Sequence, residues 1–134
     1  MKIAVVCANG KAGKLITKEA ADRGLDVTAI VRGENRSAAG KVVLKDLFEL
    51  TSADLADFDV IVDAFGAWTP ETIDNIPRAV KHLCDLLSGK NTRLLIVGGA
   101  GSLYINKEHT LCVADGADFP EAFKPLAEAH DKAL

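Results

Sequence analysis

Short apolar runs alternate with longer amphipathic stretches along the whole chain. The runs lie within residues 3–7, 26–31, 41–45, 59–64 and 93–97. Each is four to six residues of mostly Val, Ile, Leu and Ala, the length and composition of strands buried on both faces. Between them stand segments of helical spacing. Over Lys11–Arg23, Ala12, Leu15, Ile16 and Ala20 fall on one face, and Gly24 is the stop. Thr69-Pro70 is a cap and first-turn pair, but Pro77 would kink a helix begun there. The spacing therefore predicts a regular helix over Pro77–Leu87, with Ile76, Val80, Leu83, Cys84 and Leu87 facing a core and Gly89 ending it. A short helical stretch is expected over Asp46–Ala56, loops over 32–40 and 103–118, and a last helix over Phe119–Leu134.

Strands that alternate with helices and read as continuous apolar runs imply a parallel sheet covered on both faces. Right-handed crossovers and one reversal after the third strand give the order 3-2-1-4-5. The expected fold is thus α/β, a doubly wound parallel sheet of the Rossmann type, in one domain over residues 1–134. In such sheets ligands bind beyond the carboxyl ends of the strands, where the order reverses between strands 1 and 4. The third strand is short and lysine-flanked, as a protected edge should be. The fifth, Leu94-Leu95-Ile96-Val97, reads as an interior strand with nothing after it to cover its far side. Three expectations follow: a sheet that continues beyond this chain, self-association through that edge, or the loop over 103–118 covering it.

Composition removes several function classes. The formal net charge of −3 gives no basic face for nucleic acid. No apolar stretch approaches the ~20 residues of a membrane span, and residues 1–6 are expected to form a strand rather than a leader peptide. A cytoplasmic location is the default expectation. Cys7, Cys84 and Cys112 are odd in number and widely spaced, against a disulfide framework. Cys7 and Cys84 are expected to be small core residues. His82, His109 and His130 are too sparse for a metal site, so none is expected.

The chemistry begins where the first strand ends. Cys7-Ala8-Asn9-Gly10-Lys11-Ala12-Gly13 joins a buried strand to a helix and carries two of the three glycines of a dinucleotide fingerprint, with Cys7 at the first. Such a turn aims backbone N–H groups and a helix N-terminus at a phosphate. A P-loop is excluded, because Leu15 follows Gly13-Lys14 where Ser or Thr is required. At the end of the second strand an acid would take a ribose 2′-hydroxyl, whereas an arginine pairs with a 2′-phosphate. Here Arg32 stands there, with Asn35-Arg36 beyond, which favours NADPH over NADH. Asp46 follows the third strand and either reaches the adenine edge or caps the next helix. Phe65-Gly66-Ala67 leaves the fourth strand with small residues that admit a cofactor, and Trp68 is a pocket wall or a surface aromatic. Gly98 opens the turn after the fifth strand, where Ser102 can donate to a carbonyl. Tyr104 is a candidate proton donor, but Glu108 occupies the place of the lysine that would activate it. A receiver-like domain would need paired acids after the first strand, where Cys7-Ala8-Asn9 stands instead.

These stretches, with Asp63-Ala64-Phe65-Gly66 and Leu95-Ile96-Val97-Gly98-Gly99-Ala100-Gly101-Ser102-Leu103-Tyr104, resemble the NAD(P)H-binding atypical short-chain dehydrogenases/reductases. Within that group the likeness is to small NADH-flavin reductase-like proteins, related to the biliverdin reductase B and NmrA-like sets. The resemblance covers nearly the whole chain. It implies that Gly10, Lys11, Ala12 and Gly13 hold a pyrophosphate and that Arg32 is the cofactor-selecting arginine. Two departures stand out: Cys7 replaces the usual first glycine, and members of the group run on well past the length of this chain. The expected activity is hydride transfer from NADPH, or from NAD in its reduced form, to a flavin, quinone-like or other conjugated small-molecule acceptor. The alternative is a non-catalytic NAD(P)-binding regulatory or sensor module, favoured by the absent Tyr/Lys pair.

Overall fold

The computed structural model describes all 134 residues. The sheet is parallel throughout, with strands β1 (Lys2–Val6), β2 (Asp26–Val31), β3 (Lys41–Leu44), β4 (Val60–Asp63) and β5 (Arg93–Ile96) in the order β3-β2-β1-β4-β5. That is the expected order. Ile3 pairs with Val27 on one side and Val60 on the other, which places the carboxyl ends of β1, β2 and β4 side by side.

The period of two along β1 divides the core. Ala4 and Val6 join Ile30, Ile61, Leu47, Leu50 and Leu55 on one face, closed by Ala79, Leu83 and Leu87 of helix α2 (Asn75–Leu87). Ile3 and Val5 join Val27, Ala29, Val31 and Val62 on the other, closed by Ala20 of helix α1 (Lys11–Asp22). The sheet is therefore covered on both faces, as continuous apolar strands demand.

By its contacts the chain divides into two compact units, residues 1–65 with 79–97 and residues 66–78 with 98–134. The first holds the sheet, α1 and most of α2. The second is built from short pieces: 3-10 turns at Ala100–Ser102, Val113–Asp115 and Glu121–Phe123, a bridge between Tyr104 and Cys112, and helix α3 (Lys124–Asp131). Within it the Ala100–Ser102 turn lies hard against α3. A Cβ on Gly101 would come within 2.5 Å of the Ala127 Cβ, and one on Gly99 within 3.0 Å of His130 Cδ2.

Five local expectations are corrected. Leu15 is 71% exposed, and its place on the inner face of α1 is taken by Gly13 and Thr17. Thr17 is wholly buried because its hydroxyl donates back to the Gly13 carbonyl at 2.9 Å, so no polar atom is orphaned. Cys84 lies on the exposed face of α2, and Ala79 packs inward instead. The helix over 46–56 shrinks to one 3-10 turn, Leu47–Glu49, followed by turns. α2 begins at Asn75, ahead of Pro77. A proline in the first turn costs no helical hydrogen bond, since the N–H it lacks has no partner there. The last helix likewise narrows to Lys124–Asp131. No helix is long and apolar enough to cross a membrane.

Candidate functional site

The turn after β1 is tightly constrained backbone. Cys7 continues the ladder through its N–H to the Ile30 carbonyl at 3.0 Å, then turns out of it at φ 58°. That is the left-handed region, unfavourable for a side chain by roughly 1 kcal/mol or more. Its carbonyl then accepts the Gly10 N–H at 2.9 Å, closing a tight turn. The same oxygen explains the glycines. A Cβ on Gly13 would lie 2.5 Å from it and 2.7 Å from the Ala8 Cα; one on Gly10 would lie 3.3 Å from it. Gly13 is thus required for α1 to start so close beneath β1.

Gly10 is the N-cap of α1, with extended backbone and no side-chain cap. The first intrahelical bond runs from Lys14 N–H to the Gly10 carbonyl. The N–H groups of Lys11, Ala12 and Gly13 precede it and have no helical acceptor. No acid stands in the first turn to neutralise the positive end of the dipole. The arrangement can hold a diphosphate.

Asn9 does not point into that cradle. Its carboxamide nitrogen donates to the Glu34 carbonyl at 2.8 Å, and its oxygen accepts from the Arg36 N–H at 2.7 Å. The loop it holds is further shaped by Asn35, whose oxygen accepts the Ser37 N–H and hydroxyl at 2.9 and 2.7 Å, and whose nitrogen donates to the Ala39 carbonyl. Arg32, at the mouth of β2, has an 83% exposed side chain that approaches Asp46 only at 3.9 Å. Asp46 caps the Leu47–Glu49 turn in a reciprocal capping box with Glu49. The capping alternative for Asp46 is therefore the role its side chain performs, with one oxygen left facing Arg32.

Next to the turn, at the end of β4, lies a group that sequence reading passed over. Asp63 is buried, and its Oδ1 accepts the Phe65 N–H at 2.9 Å. Burial raises its carboxyl above the usual range. Burial, and secondly the neighbouring Asp63, push the Cys7 thiol up to about 11, so Cys7 is an unreactive thiol at neutral pH. The folded state therefore holds the Asp63 proton more tightly than the unfolded chain. Its contribution is favourable below about pH 4 and is lost as pH rises through the raised value. Asp63→Asn keeps an acceptor for Phe65 and removes the buried charge. The variant is expected to gain about 1 kcal/mol at pH 7 in urea unfolding, with a flatter stability profile above pH 4. A loss of stability at pH 7 would contradict this account of Asp63.

Phe65 packs against the sheet core and stands edge-on to Phe48, ring centroids 6.5 Å apart. Phe48 also lies 6.1 Å from the His82 ring. The other candidates belong to the second unit. Gly66 is exposed and lies 3.5 Å, at its would-be Cβ, from the Trp68 indole nitrogen. Ala67 is buried and Trp68 is 75% exposed, a surface aromatic. Gly98 has open space around it. Ser102 ends a 3-10 turn; its carbonyl accepts from the Cys112 thiol at 3.5 Å, and its hydroxyl has no protein partner. Tyr104 is 57% exposed and stacked on His109, ring centroids 4.7 Å apart. His130, half-buried against Gly99, was not singled out from the sequence. Burial lowers its pKa, so it is neutral at pH 7. No metal-binding cluster of His, Cys, Asp or Glu is present.

The fold and this turn define a Rossmann-type α/β protein. No family model matches the chain. It is 42% identical over 136 residues to the uncharacterized protein YwnB of Bacillus subtilis, a match spanning all of this chain and 64% of that one. The crystal structure of SP1627 from Streptococcus pneumoniae, provisionally named an NADH-flavin reductase, superposes with a TM-score of 0.96 at 53% identity, over 99% of this chain and 63% of that one. A Burkholderia pseudomallei protein, provisionally named as exported, gives 0.84 at 34% identity, over 99% and 64%. The chain thus spans a little under two thirds of the length of these relatives. Over nearly its whole length it is similar to part of these proteins, in line with the resemblance to the NAD(P)H-binding atypical short-chain dehydrogenases/reductases.

Proposed function

We propose that this chain is the cofactor-binding part of a cytoplasmic NAD(P)H-dependent reductase that prefers NADPH and acts on a flavin, quinone-like or other conjugated acceptor. The observation that carries the reading is the turn 7–13: a strained Cys7, a Gly13 with no room for a side chain, and three helix N–H groups without acceptors. This set fits a pyrophosphate. The residues in these roles are Gly10, Lys11, Ala12 and Gly13 at the diphosphate and Arg32 at the 2′-phosphate. In the first unit Asp46, through the oxygen it leaves facing Arg32, and Phe65 are the further cofactor candidates; Gly66, Ala67 and Gly98 are separate candidates of the second unit. Asn9 acts from behind the turn. The bound nicotinamide would supply the hydride. Ser102, with an uncommitted hydroxyl, and Tyr104 are the groups offered to an acceptor. A flavin acceptor would demand no general acid.

The second reading is a regulatory or sensor module that binds NAD(P) without turnover. It is favoured by Glu108, which denies Tyr104 an activating lysine, and by the stacking of Tyr104 on His109. NADPH oxidation with a panel of flavins and quinones separates the two. Turnover supports the reductase; tight binding with none supports the module.

Self-association through β5 belongs to the same proposal. Leu95 and Ile96 of the edge strand β5, and Val97 just after it, are 41%, 38% and 40% exposed. Such an edge is a template for another strand. Light scattering should show a concentration-dependent dimer that Leu95→Lys disperses. A monodisperse wild-type monomer would contradict this part.

A further inference from the structure

The side chain of Asn9 joins two stretches of backbone that no sequence pattern connects: the glycine turn and the loop after β2. The contacts span 25 and 27 residues. Their polarity is complementary, since the nitrogen faces a carbonyl and the oxygen faces an N–H; a flipped amide would lose both bonds. The carboxamide is thereby committed to the protein. It has one N–H left to offer and cannot serve as a principal diphosphate ligand.

What it holds is informative. Arg36 is fixed at its own backbone N–H, two residues after Glu34 is fixed at its carbonyl. The Asn35 side chain, between them, ties Ser37 and Ala39 into the same loop. Arg32, the other cation of this loop, lies at its start. The diphosphate and the ribose 2′-phosphate of one nucleotide are a fixed distance apart. A protein that reads both must hold its two anion sites in register, and the Asn9 amide is a physical link between them.

We infer that Asn9 is a positioning residue for cofactor selection: by clamping Glu34 and Arg36 to the glycine turn, it sets the loop that discriminates a 2′-phosphorylated nucleotide from its unphosphorylated counterpart. This rests on the NADPH reading above. Asn9→Ala leaves the backbone N–H groups of the turn in place, so diphosphate binding survives. The loop loses its anchor, and Arg36 must be ordered by the ligand itself. The cost falls on 2′-phosphate recognition alone, about five- to tenfold in affinity.

The test is calorimetric titration of the full chain with NADPH, NADH and adenosine 2′,5′-bisphosphate, in wild type, Asn9→Ala, Arg36→Ala and the double variant. Amide exchange at Arg36 and a thermal melt accompany it. Asn9→Ala should weaken NADPH and the bisphosphate about five- to tenfold, leave NADH within twofold, and speed exchange at Arg36. Arg36→Ala keeps the backbone N–H that Asn9 holds and removes only the guanidinium that the clamp is inferred to position, so in that background the same change should have little further effect on NADPH. Asn9→Gln, which retains the carboxamide, should recover part of the selectivity and guards against misfolding of the alanine variant. Equal weakening of NADPH and NADH would overturn the inference by making Asn9 a diphosphate or folding residue. Unchanged selectivity, or additive effects in the double variant, would overturn it as well. Failure of the wild type to bind either dinucleotide is a different result: it defeats the cofactor reading and the inference with it.

Discussion

Gly13→Ala is expected to destabilise this protein by about 3 kcal/mol or more and to abolish nucleotide binding. The added methyl would sit 2.5 Å from the Cys7 carbonyl oxygen, 2.7 Å from the Ala8 Cα and 2.9 Å from the Ala8 carbonyl carbon. All three are backbone atoms, and the chain at Cys7 is already in a left-handed conformation. No side chain can swing away. Relief requires α1 to shift off β1, which opens the core that Ala20 shares with Val5 and Val27. Alanine gains about 1 kcal/mol of helix propensity over glycine, too little to offset the clash. Thermal unfolding should fall by roughly 10 °C or more. Two other glycines calibrate the effect. Gly10→Ala meets the same carbonyl oxygen at 3.3 Å and should cost far less. Gly33→Ala meets nothing within 4 Å and should stay within about 0.5 kcal/mol. Similar melting temperatures for all three would contradict the close approach of helix and strand.

Arg32→Ala should weaken NADPH about 10- to 100-fold while leaving NADH within a factor of two. A charge-assisted hydrogen bond contributes about 1.5–3 kcal/mol, and only the 2′-phosphate would receive it. The side chain is 83% exposed and its ion pair with Asp46 is 3.9 Å long. Such a pair adds almost nothing to stability, so the melting temperature should not move. Titration of both dinucleotides reads the result. Parallel losses for NADPH and NADH would place Arg32 elsewhere than at the 2′-position, and no loss would remove it from the cofactor altogether.

The order of strands was legible because it depends on the alternation of buried strands with helices, and β1, β2 and β4 are apolar enough to permit no other reading. The glycine turn was legible for a related reason: a strand, a turn and a helix are consecutive in sequence, so their junction is local. What escaped was set by contacts between distant positions. Helical spacing placed Leu15 on the face of α1, but the close approach at Gly13 rotates that face toward Gly13 and Thr17. A buried Thr looks polar in sequence; it is admitted because its hydroxyl bonds to the Gly13 carbonyl. Cys84 fell outside by the same kind of shift, in favour of Ala79. Asn9 was expected to bind the cofactor, and the two bonds that commit its side chain to the loop depend on how β1 and β2 align, which the sequence does not show. Asp63 carried no role in the sequence reading, and only its burial beside Cys7 gives it significance. In the second unit, close packing rather than hydrophobic periodicity holds Gly99 to His130 and Gly101 to Ala127, and nothing in the spacing marks those pairs.

The central claim is that the turn 7–13 and Arg32 together bind a dinucleotide carrying a 2′-phosphate. Calorimetric titration of the wild-type chain with NADPH and with NADH, in one buffer at one ionic strength, tests it most directly. The account predicts saturable binding of both, at one site, with NADPH at least tenfold tighter. Absence of binding by either, from a chain that melts cooperatively, would contradict it.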